Sequence, residues 1–163
     1  MHIANNGRIL LYGQEPHDLN SPSGFWIYNE KGEVLFDSGL KFREVGIGCF
    51  SNNGEKFVLA FNTPPPESDY TEKGISADKE FPGIVLLYNN YFALKNSYSF
   101  DYISPISVKF STDDSRIYLS FRDCINWKEC MNPESYVIKT ITYDDNLNEI
   151  SITQQTKGEL RNE

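Results

Sequence analysis

The stretch Phe50-Ser51-Asn52-Asn53-Gly54-Glu55-Lys56-Phe57-Val58-Leu59-Ala60-Phe61 decides the fold. It recurs as Phe110-Ser111-Thr112-Asp113-Asp114-Ser115-Arg116-Ile117-Tyr118-Leu119-Ser120-Phe121. Each copy is an aromatic residue, a serine, a polar tight turn, a basic residue, and a β-forming run that ends in phenylalanine. A shorter echo, Asn5-Asn6-Gly7-Arg8-Ile9-Leu10-Leu11-Tyr12, stands near the start. Self-similarity at a period of roughly 40–60 residues marks a chain built by repeating one supersecondary unit.

Working outward from these copies, the chain reads as about eleven short strands with no helix. They are Arg8–Tyr12, Phe25–Tyr28, Glu33–Phe36, Val45–Phe50, Lys56–Phe61, Ile84–Tyr88, Phe92–Tyr98, Pro105–Phe110, Arg116–Phe121, Tyr136–Tyr143 and Leu147–Thr153. Polar dipeptides such as Asn53-Gly54, Asn89-Asn90 and Asp113-Asp114 mark hairpin turns between them. Aligned by repeat, the strands form three antiparallel four-stranded units, the first of which lacks its opening strand. The runs Phe57–Phe61 and Ile84–Tyr88 are apolar at every position, so a sheet containing them must be covered on both faces.

The repeated motif and the rhythm of four strands per unit resemble β-propeller repeats of the WD40 and TolB-like kind. The resemblance spans nearly the whole chain, although the Trp-Asp and Gly-His signatures of WD40 repeats are missing. It implies an all-β, partial propeller-like stack of about three blades over residues 1–155, with 156–163 as a frayed tail. A β-sandwich with accidental repetition is the competing architecture. Propellers usually close with about four or more blades. So either two chains complete one another, or the blades form an open arc, or the unit belongs to a longer ancestor. The unpaired edge expected at Arg8–Tyr12 would invite a homodimer by strand pairing.

Bulk properties narrow the function. At 163 residues the chain is long enough for one domain with a real core. No apolar run reaches the roughly 18 residues a membrane span needs, and no leader pattern opens the sequence, so a cytoplasmic location is expected. The net charge of −8 is the wrong sign for a nucleic-acid partner. The two histidines, His2 and His17, complete no catalytic triad, zinc-protease motif or phosphate loop. Cys124 and Cys130 are spaced too widely for a zinc half-site and Cys49 sits in a strand. They read as thiols or, for the first two, as a labile loop disulfide. No cofactor, no metal and no enzymatic activity are expected.

What remains is the connections. Gly13–Ser23, Asn62–Pro82 and Arg122–Glu134 are long, and in antiparallel units of this kind they all leave from one rim. They hold most of the acidic surplus. A rim of one sign speeds association with a partner of the other sign, and aromatics within it supply anchors. The expected partner-binding residues are Glu67, Asp69, Tyr70, Glu72, Trp127 and Glu129, with Glu15 and Asp18 as steering charges. Small size, acidity and the lack of a catalytic set resemble bacterial immunity proteins, a resemblance of type without a shared motif. It implies a basic protein partner, a toxin such as a cationic nuclease, with carboxylates taking the place of phosphates. The competing readings are a propeller enzyme acting on glycans through rim carboxylates and an assembly or scaffold protein.

Overall fold

The computed structural model describes residues 1–13, 24–38, 46–61, 83–100, 103–123 and 137–155. Among them are twelve strands and no helix. The strands are β1 (His2–Ile3), β2 (Ile9–Gly13), β3 (Gly24–Tyr28), β4 (Val34–Asp37), β5 (Ile47–Phe50), β6 (Lys56–Phe61), β7 (Gly83–Asn89), β8 (Leu94–Phe100), β9 (Ile103–Phe110), β10 (Arg116–Asp123), β11 (Val137–Asp144) and β12 (Glu149–Gln155). They form three four-stranded antiparallel sheets in strict chain order, β1 to β4, β5 to β8 and β9 to β12. None is closed.

The expectation that the first unit lacks a strand is corrected. The short β1 supplies it, with His2 opposite Leu10 and Ile3 opposite Ile9. A two-residue strand carries too little periodicity to be seen in a sequence. Its pairing shrinks the free edge of β2 to Leu11–Gly13 among the described residues.

The motif's repeated chemistry has a local cause. In the β5–β6 turn the Ser51 hydroxyl accepts the Lys56 N–H at 2.9 Å and donates to Asn53 Oδ1 at 2.8 Å. In the β9–β10 turn Ser111 does the same with Arg116 N–H at 3.0 Å and Asp113 Oδ1 at 2.6 Å. Serine and an Asx residue two places on thus satisfy backbone and each other within one turn. The turns between third and fourth strands share another device. Asn29, Asn89 and Asp144 each accept two backbone N–H groups of their own turn. Each such turn ends in a left-handed residue, Gly32, Phe92 or Leu147, followed by a register shift in the returning strand. That is a type I turn with a bulge.

Two hydrophobic cores lie between the sheets. The first joins Leu10, Phe25 and Ile27 of the first sheet to Phe57, Leu59, Phe61, Ile84 and Leu86 of the second. The second joins Val58, Ala60, Val85 and Leu87 of the second sheet to Ile117, Leu119, Phe121, Ile141 and Tyr143 of the third. The middle sheet is therefore covered on both faces, as its unbroken apolar strands require. Within the first core Phe57 stacks on Tyr88 at 4.8 Å and meets Phe36 and Phe50 edge-on. Such ring pairs add to the burial energy. Phe92 and Leu147 accept a left-handed backbone because their side chains plug the first and second core respectively. The closest backbone approaches between sheets run from β1 and β2 to β5, and from β5 and β6 to β9. The sheets thus come nearest at their first strands.

Candidate functional site

The three sheets are clasped together along one rim, and that clasp locates the other. Asn5 donates to the Asn52 carbonyl at 2.8 Å, and Asn52 in turn donates to the Ser111 carbonyl at 2.7 Å. Asp114 accepts the Asn52 and Asn53 backbone N–H groups at 2.7 and 2.9 Å. Lys56 pairs with Asp145 at 2.6 Å, Arg8 reaches the Asn90 carbonyl at 3.5 Å, and Asn96 donates to the Asn146 carbonyl at 2.6 Å. Gly54 is required here, since a Cβ would lie 2.4 Å from the Asn6 side chain and the backbone has φ +71°. Five of the six tight turns take part in these contacts, and the sixth, Asn29–Gly32, lies at the same ends of its antiparallel strands. With every strand pair antiparallel, the ends of β2, β4, β6, β8 and β10 lie at the opposite rim. The chain leaves every sheet there for its longer connections.

That shared origin is what the described residues show of the expected partner surface. Glu15, Asp18, Glu67, Asp69, Tyr70, Glu72, Trp127 and Glu129 all lie outside the described residues, as do Cys124 and Cys130. At the described margin of the rim Lys139 and Asp123 form an ion pair across β10 and β11.

A groove of about 210 Å³ opens where the first strands converge, lined by His2, Cys49, Phe50, Asn52, Lys109 and Phe110 among others. His2 Nδ1 accepts the Phe50 N–H at 3.3 Å and its ring tilts against that of Phe50. Burial holds the imidazole pKa below its ordinary value, and the nearby N-terminal charge adds to this. Burial pushes the Cys49 thiol up to about 12, so it stays protonated and is a poor nucleophile. No group of three histidine, cysteine or acidic side chains able to hold a metal occurs among the described residues. No helix among them is long and apolar enough to cross a membrane.

Sequence reasoning treated the turn residues as solvated punctuation. It missed that Asn52, Lys56, Asp114 and Asp145 join one sheet to the next. The available signal was the repeated basic residue after each turn, which has no purpose within its own hairpin.

No family model matches the chain, and no curated protein matches it. Among solved structures, one described as "Crystal structure of the eukaryotic initiation factor" is similar at TM-score 0.48 and 12% identity. The similarity covers 82% of this chain and 27% of that one, so this chain spans about a quarter of that structure's length.

Proposed function

We propose that the chain is a protein-binding module, a partial propeller-like stack whose long acidic connections form one partner-facing rim. Its best-supported specific role is that of an immunity protein that neutralises a basic bacterial toxin in the cytoplasm. The observation that carries the reading is the clasp of tight turns on one rim, which leaves every long connection to start and finish on the other. Two features support the propeller-like part of the reading. The sheets stack face to face in chain order, and they approach most closely at their first strands. A rigid scaffold that gathers its long loops on one side is suited to recognition. The acidic surplus of those loops then favours a cationic partner, most strongly at low salt. Binding alone accounts for inhibition in this reading, because carboxylates on the rim would occupy the partner's phosphate-binding cations.

The test is calorimetry against a cationic bacterial nuclease toxin, at low and at physiological salt. The triple variant Glu67→Lys, Asp69→Lys, Glu72→Lys is expected to lose binding and with it the salt dependence. Unchanged affinity and unchanged salt dependence in that variant would refute the acidic-rim mechanism.

A further inference from the structure

The first sheet is patterned like the middle one but covered on one face only. In β2 Leu10 is fully buried against the middle sheet while Leu11 is 37% exposed on the other side. Strand register places Ile3, Ile9, Leu11, Trp26, Tyr28 and Val34 together on that outer face. Ile3 and Val34 are 58% and 57% exposed. The Trp26 indole packs over Gly24, where a Cβ would lie 2.7 Å from it. A contiguous apolar sheet face of this kind marks a docking surface.

The internal repeat says what docks. By register, Ile9 and Leu11 correspond to Phe57 and Leu59 of the middle sheet and to Ile117 and Leu119 of the third. Those residues are buried against the preceding sheet. The outer face of the first sheet is therefore a receiving face with no preceding sheet among the described residues. The matching presenting face is the outer side of the third sheet, where Tyr118, Ser120, Thr140 and Thr142 correspond to Val58, Ala60, Val85 and Leu87. Serine and threonine are close in shape to alanine and valine. Ser120 and Thr140 hydrogen-bond to each other at 2.8 Å, so burying that pair leaves neither of the two hydroxyls without a partner, while Lys109 on the same face lies over the Tyr118 ring.

The rim contacts repeat in the same direction. Arg8 reaches Asn90, and Lys56 reaches Asp145. In each case the basic residue at or just before the start of a second strand meets the second residue of the next sheet's final turn. Arg116 opens the second strand of the third sheet, is exposed, and makes no such contact among the described residues. Glu30 is the second residue of the first sheet's final turn, is exposed, has its carboxylate 3.6 Å from the Cβ position of Gly7, and meets no basic residue among the described residues. Nothing lies within 4 Å of the neighbouring Gly32 Cβ position, leaving room for a guanidinium.

We propose that a second copy of this chain stacks its third sheet on the first sheet of its partner, and that the reciprocal contact closes a ring of six sheets. Arg116 of each copy pairs with Glu30 of the other. A head-to-tail contact must either close or run on as a filament, and six blades lie within the range of about four to eight in which propellers close. This contact is face to face, unlike the edge pairing expected from the sequence, and is independent of the acidic rim.

Light scattering on the eluting full chain across the micromolar range, with sedimentation equilibrium for the dissociation constant, tests it. A dimer is expected. Arg116→Glu and Glu30→Arg should each weaken it by about tenfold or more, because like charges then meet at both contacts. Both sites are exposed, and far-UV circular dichroism should match the wild type. An equimolar mixture of the two variants should recover wild-type affinity, since each contact in the mixed ring again joins opposite charges. A strict monomer, a species larger than a dimer, or a dimer indifferent to both charge reversals overturns the proposal. So does a dimer lost on Leu11→Asp but untouched by Arg116→Glu, which would show two first sheets packed on each other.

Discussion

Asp114 offers a sharp test of how the sheets are held together, because three substitutions there separate two effects. Its carboxylate accepts the Asn52 N–H and Asn52 side-chain amide through Oδ1, at 2.7 and 2.8 Å, and the Asn53 N–H through Oδ2 at 2.9 Å. Its own backbone is left-handed, with φ +58°. At a partly exposed site each of the three bonds contributes about 0.5 kcal/mol, so their sum is about 1.5 kcal/mol. A residue with a Cβ in the left-handed region costs about 1 kcal/mol relative to glycine, less for Asp and Asn. Asp114→Asn keeps the backbone preference and one acceptor oxygen, and should destabilise by about 1 kcal/mol. Asp114→Ala loses all three bonds and adds strain, for about 2 kcal/mol. Asp114→Gly loses the bonds but relieves the smaller strain of Asp, for about 1 kcal/mol. Urea unfolding monitored by fluorescence reads these differences. Each kcal/mol should also move Tm by about 2–4 °C for a domain of this size. Ala is expected to do the most damage, with Asn and Gly each about half as harmful. Equal losses for Ala and Gly would refute the strain argument, and a neutral Asn variant would refute the clasp.

Two further perturbations bear on the core and the turns. Phe57→Ala removes a fully buried ring that stacks on Tyr88 and meets Phe36 and Phe50. It should cost about 3–5 kcal/mol in the same unfolding assay, and a loss below about 1 kcal/mol would mean that the first core is loosely packed. Hydrogen bonds from Ser111 first, then from Ser115, hold the Asp113 carboxyl down from 3.8 to about 2. A lowered folded-state pKa means that this contribution to stability is complete above the ordinary carboxylate pKa. It is lost as the pH falls through the folded value, here from about 4 to about 2. A carbon-detected NMR titration should find Asp113 ionised at pH 3 and should find its pKa raised in Ser111→Ala. An unshifted midpoint in that variant would contradict the serine's role in the turn.

The legible part of this protein is the part encoded locally. Lys56–Phe61 could be read off to the residue because a basic residue after a tight turn and five apolar residues before a polar break leave little freedom. The turns were equally plain, since Asn29, Asn89 and Asp144 satisfy backbone groups within their own hairpins, where spacing is fixed by the chain itself. Strand ends moved by a residue or two, and β1 escaped notice because two residues have no period.

The unbroken apolar run from Ile9 to Tyr12 shows the reach and the limit of such reading. Four consecutive apolar residues place apolar side chains on both faces of that strand. Only the folded arrangement decided that Leu10 is covered by the middle sheet while Leu11 faces outward. Likewise, local pattern placed Lys56 and Asp145 on exposed turns, and only the stacking of sheets brought them within 2.6 Å. Hairpin chemistry acts over a few residues and leaves its mark in adjacent letters. Which face meets which, and which charges meet across a rim, depends on contacts between residues far apart in the chain, and these exist only once the sheets have stacked.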